Sequence, residues 1–159
     1  MTAVLLTRNT PMQIRIANAA DIPALCALLA QLFAQEHEFV ADPQKQARGL
    51  AAIIAQPACG QILVAEQDGR VLGMVSLLYS QSTALGAPVA WLEDMVVDAR
   101  CRTGGIGSSL LTAARDLAAS HGCRRITLLT DADNQAAQRF YARQGFSASS
   151  MLPMRLLLD

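Results

Sequence analysis

Apolar and polar residues alternate in MQIRIA, residues 12–17, a period of two that predicts a half-buried strand. The period then lengthens. In DIPALCALLAQLFAQE, Leu25, Leu28, Leu29, Leu32 and Phe33 share one helical face, with Asp21 placed as N-cap and Pro23 in the first turn. PQKQARGLAAIIAQ predicts a second helix. QILVAEQ and RVLGMVSLLYS predict two strands joined by an Asp68-Gly69 hairpin turn. After the loop QSTALGAP, VAWLEDMVV is a further strand rich in β-formers. Ile106, Leu110, Leu111, Ala114, Leu117 and Ala118 then recur on one helical face, and Gly122 ends that helix. RRITLLT reads as a short buried strand. Asn134 caps NQAAQRFYARQG, which stops at Gly145, and MRLLL reads as a last strand. The order β-α-α-β-β-β-α-β-α-β predicts one α/β domain with a mixed sheet.

Composition narrows the classes. Of 159 residues 52% are hydrophobic and 16% charged, so the chain is globular. A net charge of zero argues against a broad nucleic-acid surface. No stretch approaches the roughly 20 apolar residues of a membrane span. The run AVLL near the start falls short of the about 7–15 residues of an export signal. The expected location is cytoplasmic, with residues 1–11 a flexible leader and 12–159 the folded domain. Cys26, Cys59, Cys101 and Cys123 form no C-x-x-C pair and the chain has 2 His, so no metal site is expected. Four reduced, mostly buried thiols are the reading.

Candidate chemistry concentrates at one junction, DARCRTGGIGSSL, residues 98–110. It lies between a strand and a helix. A helix start offers unpaired N–H groups and a positive dipole end, and glycines let the backbone close on an anion. Arg100 and Arg102 add charge. A phosphate or pyrophosphate is the natural ligand; a plain glycine-rich turn with solvated arginines is the alternative. A Walker loop is excluded because no Lys-Ser or Lys-Thr follows the glycines. A dinucleotide fingerprint fails because Leu110 stands where its third glycine belongs.

Arg102-Thr103-Gly104-Gly105-Ile106-Gly107 has the form [QR]-x-x-G-x-[GA] and resembles the acetyl-CoA-binding loop of the GNAT superfamily of N-acetyltransferases. The strand before it, WLEDMVV, is similar to that family's fourth strand. Downstream, NQAAQRFYARQGF fits N-x-x-A-x-x-F-Y-x-x-x-G-F at Asn134, Ala137, Phe140, Tyr141, Gly145 and Phe146. The resemblance runs from about Met12 to the C-terminus. It implies a single-domain GNAT-like fold, a mixed, mostly antiparallel sheet flanked by helices, and acetyl-CoA as cofactor.

The resemblance also implies roles. Arg102 and the backbone of Thr103, Gly104, Gly105, Ile106, Gly107 and Ser108 would cup the pyrophosphate. Met95, Val96 and Val97 would pair with the pantetheine arm as an added strand, and Asn134, Ala137 and Gln144 would approach from the late helix. Glu93 would take the amine's proton through water, or merely bind the ammonium. Strand alternation puts Glu93 and Asp94 on opposite faces, unless a bulge intervenes. Tyr141 would protonate the leaving sulfur in a direct transfer through a ternary complex, or be a core aromatic. His37, between Glu36 and Glu38, would lie near the acceptor pocket. The implied partner is a small-molecule amine, with neither nucleic acid nor membrane, and the expected assembly is a homodimer. Two alternatives stand beside this: a non-catalytic acyl-CoA sensor of the same fold, and an enzyme acting on protein N-termini or lysines.

Overall fold

The computed structural model describes residues 10–36 and 38–158, which fall into two compact units dividing after Leu129. Most of the expected leader, and His37, lie outside the described residues. The first unit contains β1 (Gln13–Ile16), α1 (Ile22–Phe33), α2 (Pro43–Ala55), β2 (Gly60–Gln67), β3 (Arg70–Ser82), β4 (Ala87–Val97), α3 (Ile106–Ser120) and β5 (Ile126–Leu128). The sheet order is β1-β2-β3-β4-β5. The first three pairings are antiparallel and β4 with β5 is parallel. A parallel pair needs a crossover, and α3 supplies it. Asp68 and Gly69, with φ of 51° and 74°, make the predicted tight turn between β2 and β3.

Each sheet face has its own helices. Ile62, Val64, Met74 and Val96 form one buried cluster with Leu25, Leu28 and Leu29 of α1 and Leu50 of α2. Gly73 looks the other way. A Cβ there would come within 3.0 Å of Leu110 and 3.4 Å of Ile106, so the missing side chain lets α3 lie close to β3. The buried face of α3 is Ile106, Leu110, Leu111, Ala114 and Ala118, all on the predicted stripe.

The entry to α1 departs from expectation. Asn18, not Asp21, is the capping side chain, accepting from the Ala20 N–H at 2.9 Å ahead of a short 3-10 turn, Ala19–Asp21. Asp21 faces inward instead. It accepts from the Asn18 N–H at 2.8 Å and from both terminal nitrogens of Arg15 at 2.8 and 2.9 Å. Arg15 also pairs with Glu66. The local pattern showed a cap; it could not show that β1 would deliver a guanidinium to the neighbouring carboxylate. The Arg15 hydrogen bond holds the Asp21 carboxyl below its usual range against the opposing effect of burial. Such a group stabilises the fold fully above its unfolded pKa, about 3.9, and loses that contribution as pH falls through the depressed folded value. Arg15→Met is expected to lower stability by about 1–2 kcal/mol near neutral pH, a figure discounted for the partial exposure of Arg15. Denaturant titrations of both proteins should converge as the pH drops below about 4.

Three other expectations are corrected. The segment MRLLL forms no strand: Met151, Leu152, Met154, Leu156, Leu157 and Leu158 are each 83–94% exposed. An apolar run becomes a strand only where a ladder partner meets it, which a one-dimensional pattern does not reveal. β5 is half-buried rather than buried, because it ends the sheet. No cysteine is fully buried: Cys59 is exposed, and Cys26, Cys101 and Cys123 are intermediate, all as free thiols.

The second unit carries α4 (Gln135–Arg143). Asn134 caps it as predicted, its Oδ1 accepting from the Ala137 N–H at 3.1 Å. Among the described residues no helix is long and apolar enough to cross a membrane.

Candidate functional site

The chemistry-bearing part of the first unit begins where β4 stops being regular. Ser76 of β3 is opposite Glu93, and Met74 is opposite Val96. One residue of β3, Val75, therefore faces two of β4, Asp94 and Met95, which is a β-bulge. Asp94 absorbs it with φ at +51°, a left-handed conformation that Asp tolerates better than most side chains. The extra residue breaks strict alternation. Glu93 and Val96 now share a face although they are three apart, and the opposite-face argument for Glu93 and Asp94 does not survive the step.

The bulge also coincides with a parting of strands. β4 pairs with β5 only at Ala90, Trp91 and Leu92. From Glu93 to Val97 it keeps β3 on one side, while among the described residues no strand is paired to the other. A strand edge without a ladder partner is a template for an extended ligand's amide groups. Met95, Val96 and Val97 lie on this edge.

The chain then turns from the end of β4 into α3. Asp98 caps a short turn, Ala99–Cys101, accepting from the Arg100 N–H at 3.0 Å. The Arg100 guanidinium binds back to the Asp98 carboxylate at 2.7 Å. That hydrogen bond lowers Asp98 to about 2. Arg100, read from sequence as added charge for an anion, is thus already neutralised by its neighbour. Arg102 donates from Nε to the Val97 carbonyl at 3.3 Å, tying the loop to the strand end. Gln31 of α1 adds a tether that the sequence did not suggest, its Oε1 accepting from the Ala99 N–H at 3.0 Å.

Thr103, Gly104 and Gly105 are exposed, Ile106 is buried beneath them, and Gly107 and Ser108 are partly covered. Gly105 occupies the N-cap position of α3 at φ +74° with no side-chain cap. A Cβ built on it meets nothing within 4 Å, and one on Gly104 meets nothing nearer than 3.7 Å. Internal packing therefore does not demand glycine here. What glycine provides is the left-handed turn and an unobstructed approach to the helix start, where first-turn N–H groups have no intrahelical acceptor. An unpaired strand edge leading to an uncapped, glycine-lined helix start fits an elongated amide-bearing ligand with a phosphate group.

Two carboxylates stand at the bulge. Glu93 is exposed on the sheet face that α1 and α2 cover further along, and Trp91, 37% exposed, shares that face. Asp94 is half-buried. Burial first, and the Glu93 charge second, push its carboxyl up to about 6.

In the second unit, the Tyr141 ring meets Phe140 and Phe146 edge-on, with centroids 5.3 and 5.7 Å away. Burial pushes its phenol up to about 12, so the hydroxyl keeps its proton at neutral pH. Gln144 closes α4, its N–H donating to the Tyr141 carbonyl at 3.0 Å. Asn134, Ala137, Tyr141 and Gln144 thus belong to one short helix and its ends.

Comparison with known proteins converges on one group. A model described as "Acetyltransferase (GNAT) family" matches residues 24–146. YhfO of Bacillus subtilis (strain 168), named as an uncharacterized N-acetyltransferase, is 33% identical over 138 residues, covering 85% of this chain and 89% of that protein. The aminoalkylphosphonate N-acetyltransferase of Salmonella typhimurium is 29% identical over 137 residues, covering 86% of each. Among solved structures, an acetyltransferase of Trypanosoma brucei superposes with a TM-score of 0.72 at 26% identity, covering 93% of this chain and 100% of that one.

Proposed function

The chain belongs to the GNAT family of acetyltransferases, and from that premise we propose that it moves an acetyl group from acetyl-CoA to the primary amine of a small molecule. The observation that carries this reading is the parting of β4 from β5 after Leu92, directly upstream of the glycine-capped start of α3. Relatives with named acceptors support the choice of a small amine, since they are named for aminoalkylphosphonate and for glucosamine 6-phosphate.

When bound, the cofactor supplies an activated acetyl thioester. The backbone of Met95, Val96 and Val97 would hold its amide-bearing arm. The N–H groups of the loop from Thr103 to Ser108, with Arg102 beside them, would hold its phosphates. Fixing both reactants in a direct transfer is worth up to about 7–11 kcal/mol of barrier. On the acceptor side, an alkylamine arrives as ammonium, because its pKa is near 10. Glu93, exposed beside the bulge, takes that proton. Tyr141, which stays protonated at neutral pH, would be the proton donor for a leaving thiolate, and Asn134, Ala137 and Gln144 belong to the same helix or its ends.

A thiol needs less help than an amine, since its pKa of about 8.5 already makes the thiolate a fair leaving group. Tyr141→Phe is accordingly expected to lower kcat by about 10–100-fold, at or below the low end of the general-acid range, while leaving acetyl-CoA affinity within about twofold. Steady-state rates and calorimetry separate the two effects. The reading as a whole is tested by following free thiol while acetyl-CoA is presented with a panel of small amines. Turnover with at least one small amine is expected. Turnover confined to peptide amines, or acetyl-CoA binding without release, would overturn it.

A further inference from the structure

Ser76 interrupts the apolar run GMVSLL of β3. It is 1% exposed, and its Oγ has no hydrogen-bond partner among the described residues. A buried hydroxyl in that state is destabilising, and native folds seldom keep one without a use. Its position indicates the use. Ser76 is directly opposite Glu93 in the β3–β4 ladder. Opposed residues of an antiparallel pair point to the same face, with Cβ atoms about 4.5–5.5 Å apart. Along that face Met74 and Val96 are buried under the helices, Ser76 comes next, and exposed Glu93 and Trp91 follow. Ser76 thus marks the border between the core and the open face.

We propose that Ser76 is the positioning residue for proton removal from the acceptor amine, holding a water molecule against the Glu93 carboxylate. The water accepts a hydrogen bond from the Ser76 hydroxyl and donates one to Glu93, which leaves a lone pair for the substrate ammonium. One N–H bond of the ammonium breaks as a new O–H bond forms to the water. The water passes one of its own protons to Glu93 and is regenerated. The products are a neutral amine and a protonated Glu93, so charge and atoms balance. Among the described residues, the charged neighbour of Glu93 on its own strand is Asp94, and α2, which covers the same face further along, carries Lys45 and Arg48. Met74 and Leu78 of β3, the whole of α1 and the β5 residues Ile126–Leu128 carry no charged side chain. This rests on the acetyl-transfer reading above and extends it to a residue outside the loop and the helix.

The test compares wild type, Ser76→Ala and Ser76→Thr by thermal unfolding and by thiol-release rates across pH. Ser76→Ala is expected to fold with no rise in Tm. Its kcat should fall about tenfold or more at neutral pH, with the KM for acetyl-CoA unchanged. The deficit should close toward pH 10, where the amine arrives already neutral. Ser76→Thr, which keeps the hydroxyl, should recover most of the rate. An unchanged kcat overturns the proposal, as does an equal loss at every pH. A raised Tm with full activity also overturns it, and marks the hydroxyl as merely orphaned. A wild-type protein that releases no thiol with any amine overturns the acetyl-transfer reading itself, and this proposal with it.

Discussion

Gly105→Glu is expected to abolish measurable acetyl-CoA binding while leaving the fold intact. The residue sits at φ +74° as the uncapped N-cap of α3. Any side chain there costs about 1–2 kcal/mol of backbone strain. A Cβ itself meets nothing within 4 Å, so the strain should not propagate into the core. The larger effect is electrostatic. The added carboxylate would lie at the positive end of the helix, where the cofactor's phosphates are proposed to bind, and would satisfy the same N–H groups. Affinity should fall by at least about 100-fold, equivalent to about 2.7 kcal/mol. Gly105→Ala separates the two contributions: it carries the strain without the charge, and should lose a modest amount of stability and much less affinity. Calorimetric titration of both variants, with circular dichroism to verify folding, makes the comparison.

Glu93→Gln is expected to cost about 100-fold or more in kcat at pH 7, within the range of a lost general base. At that pH only about one alkylamine in a thousand is neutral, given a pKa near 10. The deficit is therefore bounded at about a thousandfold, and it should shrink as the pH approaches 10. Asp94→Asn is the control. Asp94 is raised to about 6, first by burial and then by its neighbour's charge, and its backbone is in the left-handed region that Asn also tolerates. Removing that carboxylate should change the rate by far less than removing Glu93. If the two variants change places, the proton acceptor is Asp94. The pH–rate profiles distinguish the cases.

The helices and most strands were legible because their signals are local. The stripe from Ile106 to Ala118 needs only a period of 3.6, and all of its members except Leu117 are buried. The Asp68-Gly69 turn needs only two residues that accept positive φ. The glycine-rich loop could be read for the same reason. What could not be read depends on partners far along the chain. Arg100 looked like free charge until Asp98 folded onto it. Asp21 looked like a cap until β1 brought Arg15 to it. The bulge at Asp94 arises from the register with β3, about twenty residues upstream, and nothing in LEDMVV marks it. Ser76 did leave a trace, the one hydroxyl in the apolar run GMVSLL. Its meaning required knowing that Glu93 lies opposite. MRLLL is the converse, a local pattern for which the fold supplies no ladder.

The unpaired edge of β4 and the glycine-capped start of α3 together form the proposed cofactor site. Backbone-amide NMR of the protein titrated with CoA tests it most directly. The largest shifts are expected at Met95, Val96, Val97, Gly105, Ile106 and Gly107, all with one binding curve. Unmoved signals there, or shifts centred on another part of the sheet, would contradict it.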